Sequence, residues 1–466
     1  MHYIYMKSSQ PLSARLASIR RGQERKRIIS DMLTWFRHAA TPLCVVAALC
    51  SLAMAHGAEY LTPSDVVLPP ENASQETLNQ AAGKATLRFA GLDFFPHAAV
   101  TAMYDDNLLI SSSNALSDVE WTLSPGLTVV AGDVTACLPG PVTLGQIRGL
   151  LNYSLVEDSS KPQRFLGVDY TPGVNCFTDH SQYNNVDHIA GLSAGYAFSR
   201  LALGLDQDFS RVDVKDNEVG NRVTESIYDT RLRSRYELTD RSSMEINGRY
   251  YRLDYEDAAY QGYQEVRNED WFNREVGAKL ELGLGLALGF VYPEGAATQT
   301  YQQLLARGIY RLTGKINVTS SLGVEYREYN AAVANTADPV FSVSVIYQPR
   351  STTTVTLEAH RRDQPSPTGY YNYQTLGLSA GVRQVVLGRW YAGLTGGYDN
   401  VGYNLLQAGT SNNRADNDFF VEASLDYELN ARWMGSLFYI HREDNSNISN
   451  YTYSDNMVGA RASWRF

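Results

Sequence analysis

Cysteine is nearly absent: the 466-residue chain has four, and two of them, Cys44 and Cys50, lie inside an N-terminal apolar stretch. That excludes a disulfide-dense scaffold, and the spacing of the other two, Cys137 and Cys176, matches no zinc-ligand pattern. Charge is sparse as well, at 19% of residues, with 50 acidic against 40 basic side chains. Nucleic acid is not an expected partner of such a chain, because its phosphates would be repelled. Outside the N-terminal region there is no run of about 18 apolar residues, which excludes a bundle of membrane-spanning helices. The mean hydropathy of −0.29 agrees. No EF-hand spacing occurs, and the two Gly-x-Ser-x-Gly stretches, Gly191–Gly195 and Gly377–Gly381, lie inside alternating strand-like segments rather than at a strand-to-helix turn. The histidines His97, His180, His188, His360 and His441 therefore stand without an evident nucleophile, and no enzyme, cofactor or metal is expected.

At the N-terminus, Arg37 precedes "PLCVVAALCSLAMA", an apolar core ending in Ala53-Met54-Ala55, the small-x-small pattern of a signal-peptidase site. Residues 1–55 are expected to be a signal peptide cleaved after Ala55, with Met32 as an alternative start given the basic run "IRRGQERKR" upstream. A membrane anchor is the competing reading, but the stretch is short for a span. Neither Cys44 nor Cys50 stands in a lipoprotein-like box. Cleavage leaves 32 basic and 48 acidic side chains, a formal charge of −16. In an exported protein Cys137 and Cys176 are the one pair left for a disulfide, against the plainer reading of two free thiols. Residues 56–94, rich in Pro, Asn and Gln, read as a mostly irregular periplasmic lead with one short helix near Ser74–Ala82.

What the chain has in quantity is tyrosine (31) and glycine (36), set in alternating segments from Phe95 to the end. In "KINVTSSLGVEYRE", Ile316, Val318, Leu322, Val324 and Tyr326 oppose Asn317, Thr319, Ser321, Gly323, Glu325 and Arg327. In "DFFVEASLDYELN", Phe419, Val421, Ala423, Leu425 and Tyr427 oppose Phe420, Glu422, Ser424, Asp426 and Glu428. Period two with one apolar face is a half-buried strand. Short connections such as "LTDRSSM" and "LNARWM" take turns with long ones such as "DYEDAAYQGYQEVRNEDW", the rhythm of an up-and-down meander. The chain ends on Val458, Ala460, Ala462, Trp464 and Phe466 alternating with Gly459, Arg461, Ser463 and Arg465. An amphipathic last strand finishing on an aromatic suits barrel closure and resembles the signal read by the barrel assembly machinery, with Trp464 and Phe466 carrying it.

The fold expected is therefore all-β, a transmembrane antiparallel up-and-down β-barrel over residues 95–466, with short periplasmic turns, long extracellular loops and outer-membrane lipid around it. Fifteen strands follow Asp187. Four more candidates lie near 95–110, 119–131, 145–156 and 164–177, one too many for an even-numbered wall. Taking 145–156 as the extra gives about 18 strands, within a range of 16–18.

Tyr104-Asp105-Asp106-Asn107, Ser117-Asp118 and Ser124-Pro125-Gly126, followed by "NNVDH" (Asn184–His188) and "FSR" (Phe198–Arg200), resemble β-barrel porin family 2, outer-membrane barrels found with exopolysaccharide biosynthesis genes. The likeness runs from Phe95 to Phe466, and Cys137–Lys161 departs from it. It implies export of exopolysaccharide or capsular polysaccharide, with a polysaccharide and periplasmic export components as partners. The residues themselves leave a general or solute-selective diffusion porin and a structural or adhesive barrel open. Calcium at Asp105, Asp106 and Asn107 is the sharper reading of that motif, and strand termination the plainer one. Glu325, Arg327, Glu358, His360, Glu422, Asp426, Arg461 and Arg465 should line the lumen, a mixed-sign surface suited to sugars or simply to a wetted bore. An exporter would be gated at rest, and the long loops and Gly145–Val156 are its expected gate.

Overall fold

The computed structural model describes residues 87–132, 164–313, 315–330, 334–367, 371–405 and 414–465. The signal peptide and its cleavage site, the short helix near Ser74–Ala82, Cys137, the surplus segment 145–156 and Phe466 lie outside the described residues.

A three-residue strand, β1 (Leu87–Phe89), turns back on the first wall strand. The wall follows as β2 (Leu92–Asp105), β3 (Asp118–Gly132), β4 (Arg164–Phe177), β5 (Asn185–Ala197), β6 (Leu201–Asp216) and β7 (Asn221–Thr239). It continues through β8 (Ser242–Tyr255), β9 (Tyr263–Gly277), β10 (Leu280–Pro293), β11 (Gln299–Arg311), β12 (Ile316–Tyr329) and β13 (Thr336–Arg350). It ends with β14 (Thr353–Pro365), β15 (Tyr371–Leu387), β16 (Trp390–Leu405), β17 (Ala415–Asn430), β18 (Trp433–Asp444) and β19 (Tyr453–Arg465). Each wall strand pairs antiparallel with the next, and β19 pairs with β2, closing an 18-strand barrel with no free edge.

From β5 onward, connections of two to four residues gather at one rim and, with one exception, longer ones at the other. The exception is residues 217–220, a tight turn on the long-loop rim. Long connections are shorter than the sequence suggested, because strands run on past the membrane wherever a neighbour completes their ladder: β8 and β9, for example, leave only residues 256–262 between them. The wall also begins at Leu92, and β1 lies in the stretch expected to be irregular.

The outward face carries the apolar band. On β10, Leu284 and Leu286 are 66% and 62% exposed, and inward Gly283, Gly285, Ala287 and Gly289 alternate with them. Exposed aromatics mark both edges: Tyr326, Tyr398 and Tyr439 towards the long-loop rim, Trp390, Tyr427 and Trp433 towards the other. At the closing strand Trp433 and Trp464 have ring centroids 6.5 Å apart. Such girdles seat a barrel in a bilayer about 25 Å thick at its apolar core. Ser124-Pro125-Gly126 lies within β3. The β3–β4 ladder lapses there, opposite Pro172, because proline has no N–H to give.

Candidate functional site: a constricted lumen

All eight side chains expected to line the lumen lie at inward positions of their strands. Along β12 the inward face changes character: Asn317 and Thr319 are exposed, while Glu325, Arg327 and Tyr329 are buried. Glu358 is exposed and His360 half-buried on β14, and Asp426, Arg461 and Arg465 are buried. Around β12–β14 the interior is thus wet towards the tight-turn rim and packed towards the long-loop rim.

What closes the long-loop end is the tip of the β6–β7 hairpin. β5 follows β6 only as far as the pair His188–Arg211, and β8 meets β7 only from Glu225–Tyr255, yet β6 and β7 pair on to Asp216–Asn221. Residues 212–224 therefore project beyond the wall. Their turn is built locally: Asp216 Oδ1 accepts the N–H groups of Glu218 at 2.7 Å and Val219 at 3.2 Å, and Gly220 adopts φ 70°. A side chain on Gly220 would meet the Tyr451 ring at 2.8 Å.

The projecting tip lies across the mouth and is held on both sides. On one, Lys215 Nζ sits 2.7 Å from Asp105 and 2.6 Å from Asp455, carboxylates of the first and last wall strands. Beside it Arg222 pairs with Asp213 at 3.0 Å and Glu120 at 3.6 Å, and lies over the Phe177 ring. On the other, Tyr255 donates to Asp216 at 2.9 Å. Arg414, which leads into β17, two strands along the wall from β19, donates to the backbone carbonyls of Glu218 at 2.8 Å and Asn217 at 2.7 Å. Its guanidinium stacks 3.5 Å from the Tyr451 centroid and pairs with Asp416 at 2.6 Å. Tyr453 completes the hold by donating to Asn217 Oδ1 at 2.6 Å. Burial pushes the Glu218 carboxyl, in the turn itself, up to about 8.

Between this tip and the wall formed by β2–β5, β18 and β19 is a cavity of about 160 Å³. Its acids are Asp105, Glu120, Asp187 and Asp213, and its bases Lys215, Arg222, Arg442 and Arg461. Met103, Ile189, Ile440 and Met457 add apolar surface.

The opening motif proves to be a fastening of the barrel seam. Asp105 Oδ1 accepts the Asn107 N–H at 2.9 Å, and Asn107 Nδ2 donates to the Ser454 carbonyl at 3.0 Å. Asp106 accepts from the Asn456 backbone and side chain at 2.7 and 2.8 Å. Tyr104 faces outward, exposed, and Ser117 is an exposed loop residue. Asp118 gathers the N–H groups of Thr178, Asp179 and His180 and the His180 ring at 2.9 Å. Asp105, Asp106 and Asp455 do come together, but Lys215 already occupies the cationic position between two of them. Cys176 is a free, exposed thiol near the long-loop end of β4, and its expected disulfide partner, Cys137, lies outside the described residues.

Lys215, Asp216, Glu218 and Arg414 escaped the sequence reading. Period two shows which face a residue takes, not what that face meets across a lumen. The available signal was "VDVKDNEVGNRV", a hairpin with charge on both faces and a turn too tight for its rim.

No family model matches the chain, and no curated protein matches it by sequence. The resemblance to β-barrel porin family 2 therefore gains no support at family level. Solved outer-membrane channels are similar in fold at low identity. OccAB3 of Acinetobacter baumannii is 11% identical, with a TM-score of 0.42 over 80% of this chain and 100% of that one. OccK2 (OpdF) of Pseudomonas aeruginosa, solved with glucuronate, is 11% identical, with a TM-score of 0.42 over 80% of this chain and 98% of that one. OpdK of the same organism, solved with vanillate, is 10% identical, with a TM-score of 0.40 over 80% and 99%.

Proposed function

We propose that the protein is an outer-membrane diffusion channel that admits small solutes selectively. The observation that carries this reading is the hairpin tip across the mouth, held to the seam carboxylates Asp105 and Asp455 through Lys215, to Arg414 beside β17 and to Tyr255 on β8. A barrel of this strand number with an unobstructed lumen would be a wide aqueous pore. Beside the tip the described residues leave a charged cavity of about 160 Å³, a scale that suits a solute of one ring or a few carbons. Polysaccharide export, expected from the family resemblance, would also close the barrel at rest, so the tip fits both readings, and it is the small size of the cavity beside the tip that favours a small solute.

The test is conductance of the purified chain in a planar bilayer, beside a variant in which residues 213–224 are replaced by a two-residue turn. The intact channel should conduct in small steps, and the shortened one several-fold more. Equal, large conductances would overturn the selective-channel reading. A knockout that loses surface polysaccharide while small-solute uptake stays normal would restore export.

A further inference from the structure

We infer that the outer wall of β6–β9 is where a second copy of this chain packs in the membrane, with the Gln207 amide of each barrel against the Asp270 carboxylate of the other. The inference concerns the outside of the barrel and holds whatever the lumen carries.

The apolar band is broken on one side. Around most of the wall it is aliphatic, with Leu286, Leu304, Leu357, Leu378, Leu394 and Leu437 exposed on β10, β11, β14, β15, β16 and β18. Four neighbouring strands differ. Gln207 lies on the face of β6 that exposes Leu203 and Leu205, and it pairs in register with Thr230, on the face of β7 that exposes Tyr228 and Leu232. Asn268 and Asp270 share the face of β9 that exposes Phe272, and Asp270 stands opposite Leu286 in the ladder with β10. Between them β8 offers Gly248, opposite Asn268 and without a side chain. Gln207 lies six residues from the tight-turn end of β6 and Asp270 seven from that of β9, so the two sit at one depth within the band.

A carboxylate that faces hydrocarbon loses its hydration, and lipid tails offer no donor in exchange. Asp270 accepts from Asn268 Nδ2 at 3.0 Å and has no cation beside it among the described residues. Gln207 accepts the Thr230 hydroxyl at 2.5 Å and donates from Nε2 to the Asp208 carbonyl at 2.9 Å, which leaves one amide N–H to give. The strip thus has a needy acceptor at one edge and a spare donor at the other. Copies in a membrane share one orientation, so a two-fold axis normal to it lays β9 of one barrel on β6 of the other at equal depth and brings Asp270 to Gln207 twice. The gap at Gly248 lets the two walls approach between those contacts, as small residues do where membrane segments meet. Four strands about 4.8 Å apart in a band about 25 Å tall present roughly 500 Å² per copy, and about 1,000 Å² in all reaches the size of a specific contact.

Cysteine cross-linking in outer-membrane vesicles tests this, in a chain carrying Cys137→Ser and Cys176→Ser. Gln207→Cys together with Asp270→Cys should give a covalent dimer on non-reducing gels, and either one alone should give little. Within one barrel the pair is three strands apart, at least about 14 Å and beyond a disulfide's reach, so only a second copy can close the bond. Sedimentation of the purified full chain in density-matched detergent supplies the second measurement. The intact chain should run as a dimer, Asp270→Leu should weaken it at least about tenfold because two charge-assisted bonds are lost, and Asp270→Asn should weaken it less. Heat-modifiable migration on gels reports whether each variant is folded, and Asp270→Leu, which replaces a lipid-facing charge with a hydrocarbon, should keep the barrel. No covalent dimer in the vesicles, cross-links to a different protein instead, or an Asp270→Leu chain that sediments like the intact one would each overturn the inference.

Discussion

Glu218 is a carboxyl group buried in a turn, and its proton is tied to whether that turn is docked. Its value in the docked state is about 8 against an ordinary 4.5, chiefly through burial, with Asp216 and Asp416 adding to the rise and Arg414 opposing it. A raised value means that the docked state binds the proton more tightly, so docking is fully favoured below 4.5 and loses ground as pH climbs through about 8. Single-channel conductance should therefore increase over that interval, and Glu218→Gln should flatten the dependence. A profile identical in the two proteins would remove Glu218 from the account. At the lipid face the expectation is different in kind. Leu286→Arg near the middle of the band should cost about 2–4 kcal/mol in urea unfolding from vesicles, while Thr319→Arg, on the wet inner face, should cost little.

On β10, glycines alternate with leucines because the inner wall must leave room for large side chains laid flat against it. A Cβ on Gly285 would come within 2.6 Å of the Trp271 ring, and one on Gly289 would strike Tyr301. Trp271 in turn donates to Glu269 at 2.6 Å and carries Arg307 4.5 Å above its ring. Gly285→Val should destabilise the barrel by about 1–3 kcal/mol through overpacking, and Trp271→Leu on the same chain should recover part of the loss. Thermal loss of the heat-modifiable form measures both. Legibility divides at this scale. Strand identity and facing were readable because period two is a local property: "KINVTSSLGVEYRE" placed Glu325 and Arg327 inward, and there they are. Arg327 also meets the Asp363 carbonyl on β14 and Gln299 on β11, contacts set by strand register and the curvature of the wall, which no pattern within one strand shows. The β6–β7 tip was missed for the same reason, since its partners lie on other strands, among them Arg414, 196 residues from Glu218, and Tyr453, 236 from Asn217.

For the molecule as a whole, Lys215 is the residue to remove. Lys215→Met would leave Asp105 and Asp455 buried together without their cation, a change of about 3–5 kcal/mol against the docked tip. Its conductance should approach that of the chain lacking residues 213–224, and a variant that still conducts like the intact protein would show that Arg414 alone suffices to hold the tip. The two carboxylates that Lys215 joins belong to opposite ends of the chain, and the Arg461–Thr101 bond nearby spans 360 residues. Bringing such distant segments together carries the largest loop-closure cost in the molecule, so β19 and β2 should meet last during folding. Until they do, one half of the lysine's berth does not exist. The narrow mouth is therefore a late product of maturation, and a barrel arrested just before its ends meet would be not only unsealed along its side but unguarded at its entrance.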